Sequence, residues 1–190
     1  NIAPTQPAPV IAYLEGENRL EIFQWGLVPS WAKDVSIGNR MINARAETLA
    51  EKPSFKRLLK NRRCLVLASG FFEWRKDGKG KVPMWFKLKN GQPVVFAGLW
   101  DAWKKPDGAM LRTYTIVTTE PNELLAPVHD RMPAMLSDRD ALDWVSGDEI
   151  GHALSLLKPF PAESMDGYDV SKIVNNPQND TPDCIAPIEG

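Results

Sequence analysis

The sequence predicts an α+β fold, an antiparallel, strongly curved or barrel-like β-sheet with a few flanking helices. Three observations carry that prediction. Seven short strand-like runs lie between Val10 and Thr118. Asp77-Gly78, Asn90-Gly91 and Asp107-Gly108 sit between consecutive runs, where glycine or asparagine supplies the positive φ of tight hairpin turns. Finally, helical patterns are few, and a sheet made of many hairpins must hide its edges by curving or closing.

In chain order, the strand-like runs are Val10 to Leu14, Leu20 to Leu27, Arg63 to Ala68, Phe71 to Arg75, Met84 to Leu88, Val94 to Trp100 and Leu111 to Thr118. Their shortness and the turns between them predict an antiparallel meander rather than βαβ crossovers. Helices are expected from Ala46 to Lys60, interrupted near Pro53, in a short piece opening at Pro121, from Asp138 to Val145, and from Asp148 to Leu157. Ser137, with Asp140 three residues on, resembles a capping box for the third. The proline-rich tail from Pro177 to Pro187 reads as an irregular segment lying over the body.

The chain has 190 residues, the size of one domain, and a single domain over residues 1–190 is expected. No run approaches the roughly twenty apolar residues of a membrane helix, and the start lacks the pattern of a secretory signal. Two cysteines and two histidines make no disulfide framework and supply a metal site poorly. A soluble, cytoplasmic monomer without metal or cofactor is therefore expected. The net charge of −1 gives no overall attraction for nucleic acid. Between Lys33 and Arg63, however, nine basic residues face three acidic ones, either a solvated basic helix or a nucleic-acid-binding surface.

Polar residues interrupt apolar runs in four segments: Trp25 to Trp31, Asn43 to Thr48, Ser69 to Trp74 and Pro127 to Pro133. Strand alternation places Phe71, Glu73 and Arg75 on one face and Phe72 and Trp74 on the other, so Glu73 is flanked by aromatics. Desolvation there would raise its pKa and suit it to proton transfer near neutral pH; a structural ion pair with an arginine is the competing reading. His129, on a loop beside Asp130 and Arg131, is suited to shuttling protons or to a purely structural hydrogen bond. Asn43 and Arg45, two apart, share one side if extended, the amide to orient a reacting oxygen and the guanidinium to grip a phosphate, as Arg131 also could. Trp31, after a Pro-Ser turn, offers an indole for base stacking, whereas Trp25 reads as core and His152 as a surface residue.

In this order and spacing the segments resemble the SOS-response-associated peptidase family. The likeness runs from Asn1-Ile2-Ala3-Pro4-Thr5 through the four segments and Phe96 to Trp100, ending at Val174-Asn175-Asn176. It implies a protein that binds single-stranded DNA and traps abasic sites covalently through an N-terminal cysteine, after autoproteolytic release of the residues before it. It also implies that Glu73, His129 and Asn43 serve the chemistry while Arg45, Arg131 and Trp31 contact DNA. The chain begins at Asn1 without the family's Met-Cys-Gly-Arg opening, so the cysteine that the resemblance implies is missing from this chain. Cys64 and Cys184 read as structural. A non-covalent single-stranded DNA module and a general peptidase or hydrolase are the alternatives.

Overall fold

The computed structural model of the protein describes residues 1–188. Five strands form a closed ring: β1 (Pro7–Leu14), β2 (Glu17–Trp25), β4 (Arg63–Ala68), β7 (Val94–Lys104) and β8 (Met110–Thr119), in the order β2-β1-β4-β7-β8, with β2 returning to β8. The closing contact is parallel and short, Gln24 opposite Thr113 and Trp25 opposite Tyr114. Closure removes the free edges that an open sheet of this size would expose. β3 (Asn43–Arg45) lies parallel to β8, and β9 (Met132–Pro133) pairs antiparallel with it.

The strand runs expected from the sequence are present and generally longer, but their order is not a simple meander: β4 pairs with β1 and β7 rather than with the strands next to it in the chain. Asp77-Gly78 and Asp107-Gly108 join paired strands, with φ of +55° at Gly78 and +87° at Gly108. Asn90-Gly91 does not. It links β6 (Gly80–Leu88) to β7, and β6 instead pairs with β5 (Phe71–Asp77) and β10 (Met165–Asp169) in a second, three-stranded sheet. A local turn signal marks where the chain bends, not which strand it rejoins. The parallel β2–β8 and β3–β8 pairs are a further departure from an antiparallel meander.

Alternation along the ring strands divides the core. Cys64, Val66, Phe96, Trp100 and Tyr114 pack within the ring. Leu65, Ala97, Leu99 and Val117 point outward under α1 (Pro53–Asn61), α2 (Asp138–Ser146) and α3 (Ile150–Ser155). The second sheet buries both faces: Phe71 and Phe86 turn to the ring interior, while Trp85 and Phe72 pack on Val174 and Cys184 of the C-terminal segment.

The helix expected over Ala46 to Lys60 is a 3-10 turn, Ala46–Thr48, followed by α1. Lys52, before Pro53, is held extended (φ −71°, ψ 123°), as the residue preceding proline favours, and Pro53 opens α1 where its missing N–H costs nothing. The stretch after Pro121 is a run of turns rather than a helix. Asn122 accepts from the Leu125 N–H through its side chain at 3.0 Å, and the turns run through Val128. Ser137 caps α2 by accepting from the Asp140 N–H at 3.2 Å. Glu149 caps α3 by accepting from the N–H groups of Gly151 and His152, which delays that helix to Ile150. Among the described residues no helix is long and apolar enough to cross a membrane.

Candidate active site

The chain reaches Glu73 through a tight crossing. Gly70 precedes β5 and lies so close to β6 that a Cβ there would sit 2.3 Å from the Phe86 carbonyl oxygen and 2.5 Å from the Trp85 ring. Only glycine permits that approach. β5 then pairs Phe71 with Phe86, Glu73 with Met84 and Arg75 with Val82. Phe71 stacks on Phe86 at 5.4 Å and meets Phe96 edge-on at 5.8 Å, while Phe72 packs against Trp85 at 4.6 Å. Glu73 itself is half-buried on this strand.

Burial pushes the Glu73 pKa above the ordinary carboxylate range, and the Asp130 charge adds to the rise. The charge of His129, a hydrogen bond from the Trp74 backbone and Lys81 oppose it. Glu73 and His129 are thus within electrostatic reach of each other although they come from different parts of the chain. Arg75 belongs elsewhere, paired with Asp169 at 2.7 Å.

His129 arrives there because residues 132–136 insert between β7 and β8. The Ala134 N–H donates to Val117 at 2.8 Å, while Ala134 and Val95 accept from the Ala97 and Leu136 N–H groups at 2.9 Å each. The loop leading into this insertion is held at the His129 N–H, which donates to the Leu125 carbonyl at 3.0 Å. The imidazole is partly exposed, with Nδ1 3.0 Å from the Arg131 N–H and 3.4 Å from Asp130 Oδ1.

β3 brings a second pair of residues to the same end of the ring. Asn43 and Arg45 are exposed on either side of buried Ala44, the alternation expected of an extended segment. The chain continues into the Ala46–Thr48 turn, where Glu47 grips Arg131: Nη1 and Nη2 each donate to one carboxylate oxygen at 2.9 Å. Arg131 Nη2 also donates to the Thr118 carbonyl at 2.6 Å. Its guanidinium is therefore engaged inside the protein rather than extended toward solvent.

Trp31 is not brought to this cluster. It is 62% exposed and stands toward the opposite end of β7. Its loop is rigidly held: the Ser30 N–H and Arg57 Nη2 donate to Asp101 Oδ2 at 2.9 and 3.0 Å, and Trp103 Nε1 donates to the Ala32 carbonyl at 2.8 Å. Gly26 and Gly38 cross beneath it, each so near the other's carbonyl oxygen that a Cβ would approach within 2.8 Å. Trp25 is half-buried, and its indole N–H donates to Ile42 at 2.9 Å.

The basic run is divided in use. Arg63 is buried and donates to the Leu59, Trp144 and Gly147 carbonyls, tying together the ends of α1 and α2. Arg62 lies over the Trp100 ring at 4.1 Å. Lys33, Arg40, Lys52, Lys56 and Lys60 remain exposed. Cys64 and Cys184 are both buried, and burial pushes the Cys64 thiol far up. His152 is exposed beside Asp143. Among the described residues no group of three or more His, Cys, Asp or Glu is placed to hold a metal. Two open grooves of about 550 and 560 Å³ flank Gln24 and Leu111, away from Glu73 and His129.

Glu47 and Asp101 were given no role from sequence. Asp101 carried a signal, an acid directly after the Val94 to Trp100 run and ahead of Ala102 and Trp103; Glu47 looks like an ordinary surface acid.

The chain belongs to the SOS response associated peptidase (SRAP) family, whose model matches residues 1–177. It is 46% identical over 188 residues to the abasic site processing protein YoqW of Bacillus subtilis, covering 97% of this chain and 84% of that one. It is 37% identical to the abasic site processing protein HMCES of Gallus gallus, covering 91% of this chain and 59% of that longer protein. A crystal structure of a Bacteroides thetaiotaomicron protein superimposes with a TM-score of 0.89 at 31% identity, covering 97% of this chain and 82% of the other.

Proposed function

We propose that this protein binds single-stranded DNA and captures abasic sites as a covalent adduct, with Glu73 and His129 moving the protons. The observation that carries this reading is the half-buried Glu73 carboxyl beside the His129 loop, in a chain whose relatives are named abasic site processing proteins. An abasic sugar in its open form carries an aldehyde. The α-amine of an N-terminal cysteine adds to that carbon and expels water, forming a C=N bond; the thiol then adds to the same carbon, and its proton passes to nitrogen as the five-membered ring closes. A carboxyl with a raised pKa is matched to giving and taking these protons near neutral pH. Cys64 and Cys184, buried and without a free α-amine, do not meet the requirement, so the proposed chemistry calls for an N-terminal cysteine distinct from both. The same Glu73 would assist hydrolytic release of any residue ahead of it.

His129 is assigned to opening the sugar ring and to reversal of the linkage. Asn43 orients the reacting sugar, Arg45 contacts a phosphate, and Trp31 stacks on a base farther along the strand. Arg131 reaches a phosphate only by loosening the Glu47 pair.

The test uses protein extended to an N-terminal cysteine and single-stranded DNA bearing one abasic site. A denaturation-resistant adduct is expected, slowed or abolished by Glu73→Gln. No adduct from the parent protein would refute the covalent reading. Binding without adduct, indifferent to the lesion and steeply salt-dependent, would favour a non-covalent module built on Trp31 and the exposed lysines.

A further inference from the structure

The Arg131–Glu47 pair is built more firmly than a surface ion pair. The Arg131 side chain is 17% exposed, and both terminal nitrogens are bound by Glu47, with Nη2 also donating to Thr118. Its Nε is buried without a hydrogen-bond partner among the described residues. Such a guanidinium stays buried because the fork of bonds on its other edge outweighs the unmet donor. On the other side of the pair, Arg131 holds the Glu47 carboxyl below its ordinary pKa.

The main chain of Arg131 is fixed as firmly as its side chain. The residues that follow it, Met132 and Pro133, form β9 opposite Thr119 and Thr118. The Arg131 N–H points at His129 Nδ1, 3.0 Å away, and the Arg131 carbonyl lies 3.1 Å from the same nitrogen. A neutral imidazole has one donor and one acceptor nitrogen, and the hydrogen bond made by one decides the state of the other. The Arg131 N–H is satisfied when Nδ1 accepts and the proton sits on Nε2, whereas the Arg131 carbonyl at 3.1 Å and Asp130 Oδ1 at 3.4 Å face the same nitrogen as acceptors. On protonation, Nδ1 gains a hydrogen that the Arg131 carbonyl is placed to accept.

We propose that Glu47 is a positioning residue: by clamping Arg131 it holds that residue's peptide against His129 Nδ1 and so keeps the neutral imidazole in the Nε2–H form. This rests on the reading of His129 as a proton carrier, for which a single tautomer leaves one ring nitrogen, Nε2, to meet a reacting group. It also gives Arg131 a role different from a phosphate contact.

The experiment is nitrogen NMR of the imidazole rings in the ¹⁵N-labelled chain at alkaline pH. With two histidines, the His152→Gln variant assigns the signals. The parent should show His129 with Nδ1 unprotonated and the proton on Nε2. Glu47→Gln and Arg131→Lys should each move both ring signals toward tautomer-averaged positions, while the amide spectrum stays folded. A parent His129 protonated on Nδ1 would overturn the proposal, whatever the variants do. So would folded variants that both retain the parent pattern. No DNA is needed, so this result is separate from the adduct assay: absence of adduct would sink the functional reading and leave the tautomer measurement intact.

Discussion

Replacing Asp101 with alanine should loosen the loop that carries Trp31. Asp101 is 2% exposed, and its carboxylate accepts from the Ser30 and Ala102 N–H groups, each at 2.9 Å, and from Arg57 at 3.0 Å. The Arg57 side chain is 62% exposed, so that ion pair contributes at most about 1 kcal/mol. The two part-buried backbone donors lose a charged acceptor, at about 1–1.5 kcal/mol each when water replaces part of it. The expected loss is about 2–4 kcal/mol, lowering the thermal midpoint by roughly 6–12 °C for a domain of this size. Circular dichroism melts, with urea titrations at constant slope as the check, measure it. Arg57→Ala supplies the comparison and should cost no more than about 1 kcal/mol. If Asp101→Ala stays within about 0.5 kcal/mol of the parent, the effect of an ordinary surface change, the anchoring argument fails.

Trp31→Ala should leave the melting temperature nearly unchanged and weaken single-stranded DNA binding by about five- to 150-fold, the span of one lost base stack; unchanged affinity by fluorescence anisotropy would remove Trp31 from the interface. Gly70→Ala should destabilise the fold by about 1–3 kcal/mol or more, because the added methyl has no room against the Phe86 backbone; wild-type stability in urea would contradict the crossing described here. Glu73→Gln should stabilise the protein at neutral pH. The folded pKa of Glu73 lies above its unfolded value, so ionisation is harder in the folded state, and stability is lost as pH rises from about 4.3 through the folded pKa. The gain from the amide should therefore vanish below about pH 4, where both states are protonated; a stability difference that is flat from acid to neutral pH would refute the desolvation argument.

Much of the fold was legible because its signals are local. Arg63 to Ala68 forms a strand as expected, and the glycines of Asp77-Gly78 and Asp107-Gly108 adopt the positive φ that their hairpins require. Ser137 announces α2 by its own hydrogen bond. The Glu73 environment was readable for the same reason, since alternation alone sends Phe71 and Phe72 to opposite faces. The failures were equally instructive. The turns after Pro121 carried enough helical character to suggest a helix, yet too few residues lie before Pro127 for hydrogen bonding to propagate.

The sequence by itself determined the strand runs, the hairpin turns at Asp77-Gly78 and Asp107-Gly108 and the cap of α2, because alternation, turn chemistry and capping act within a few residues. It also marked Glu73 as a carboxylate among aromatics. Only the tertiary structure decided that β6 leaves the meander for a second sheet, and that residues 132–136 enter between β7 and β8. It alone decided that Arg131 turns inward to Glu47 and that His129 stands within electrostatic reach of Glu73. Those choices depend on which distant surfaces fit and which buried charges find partners, and such complementarity exists only once the whole chain has closed around its core.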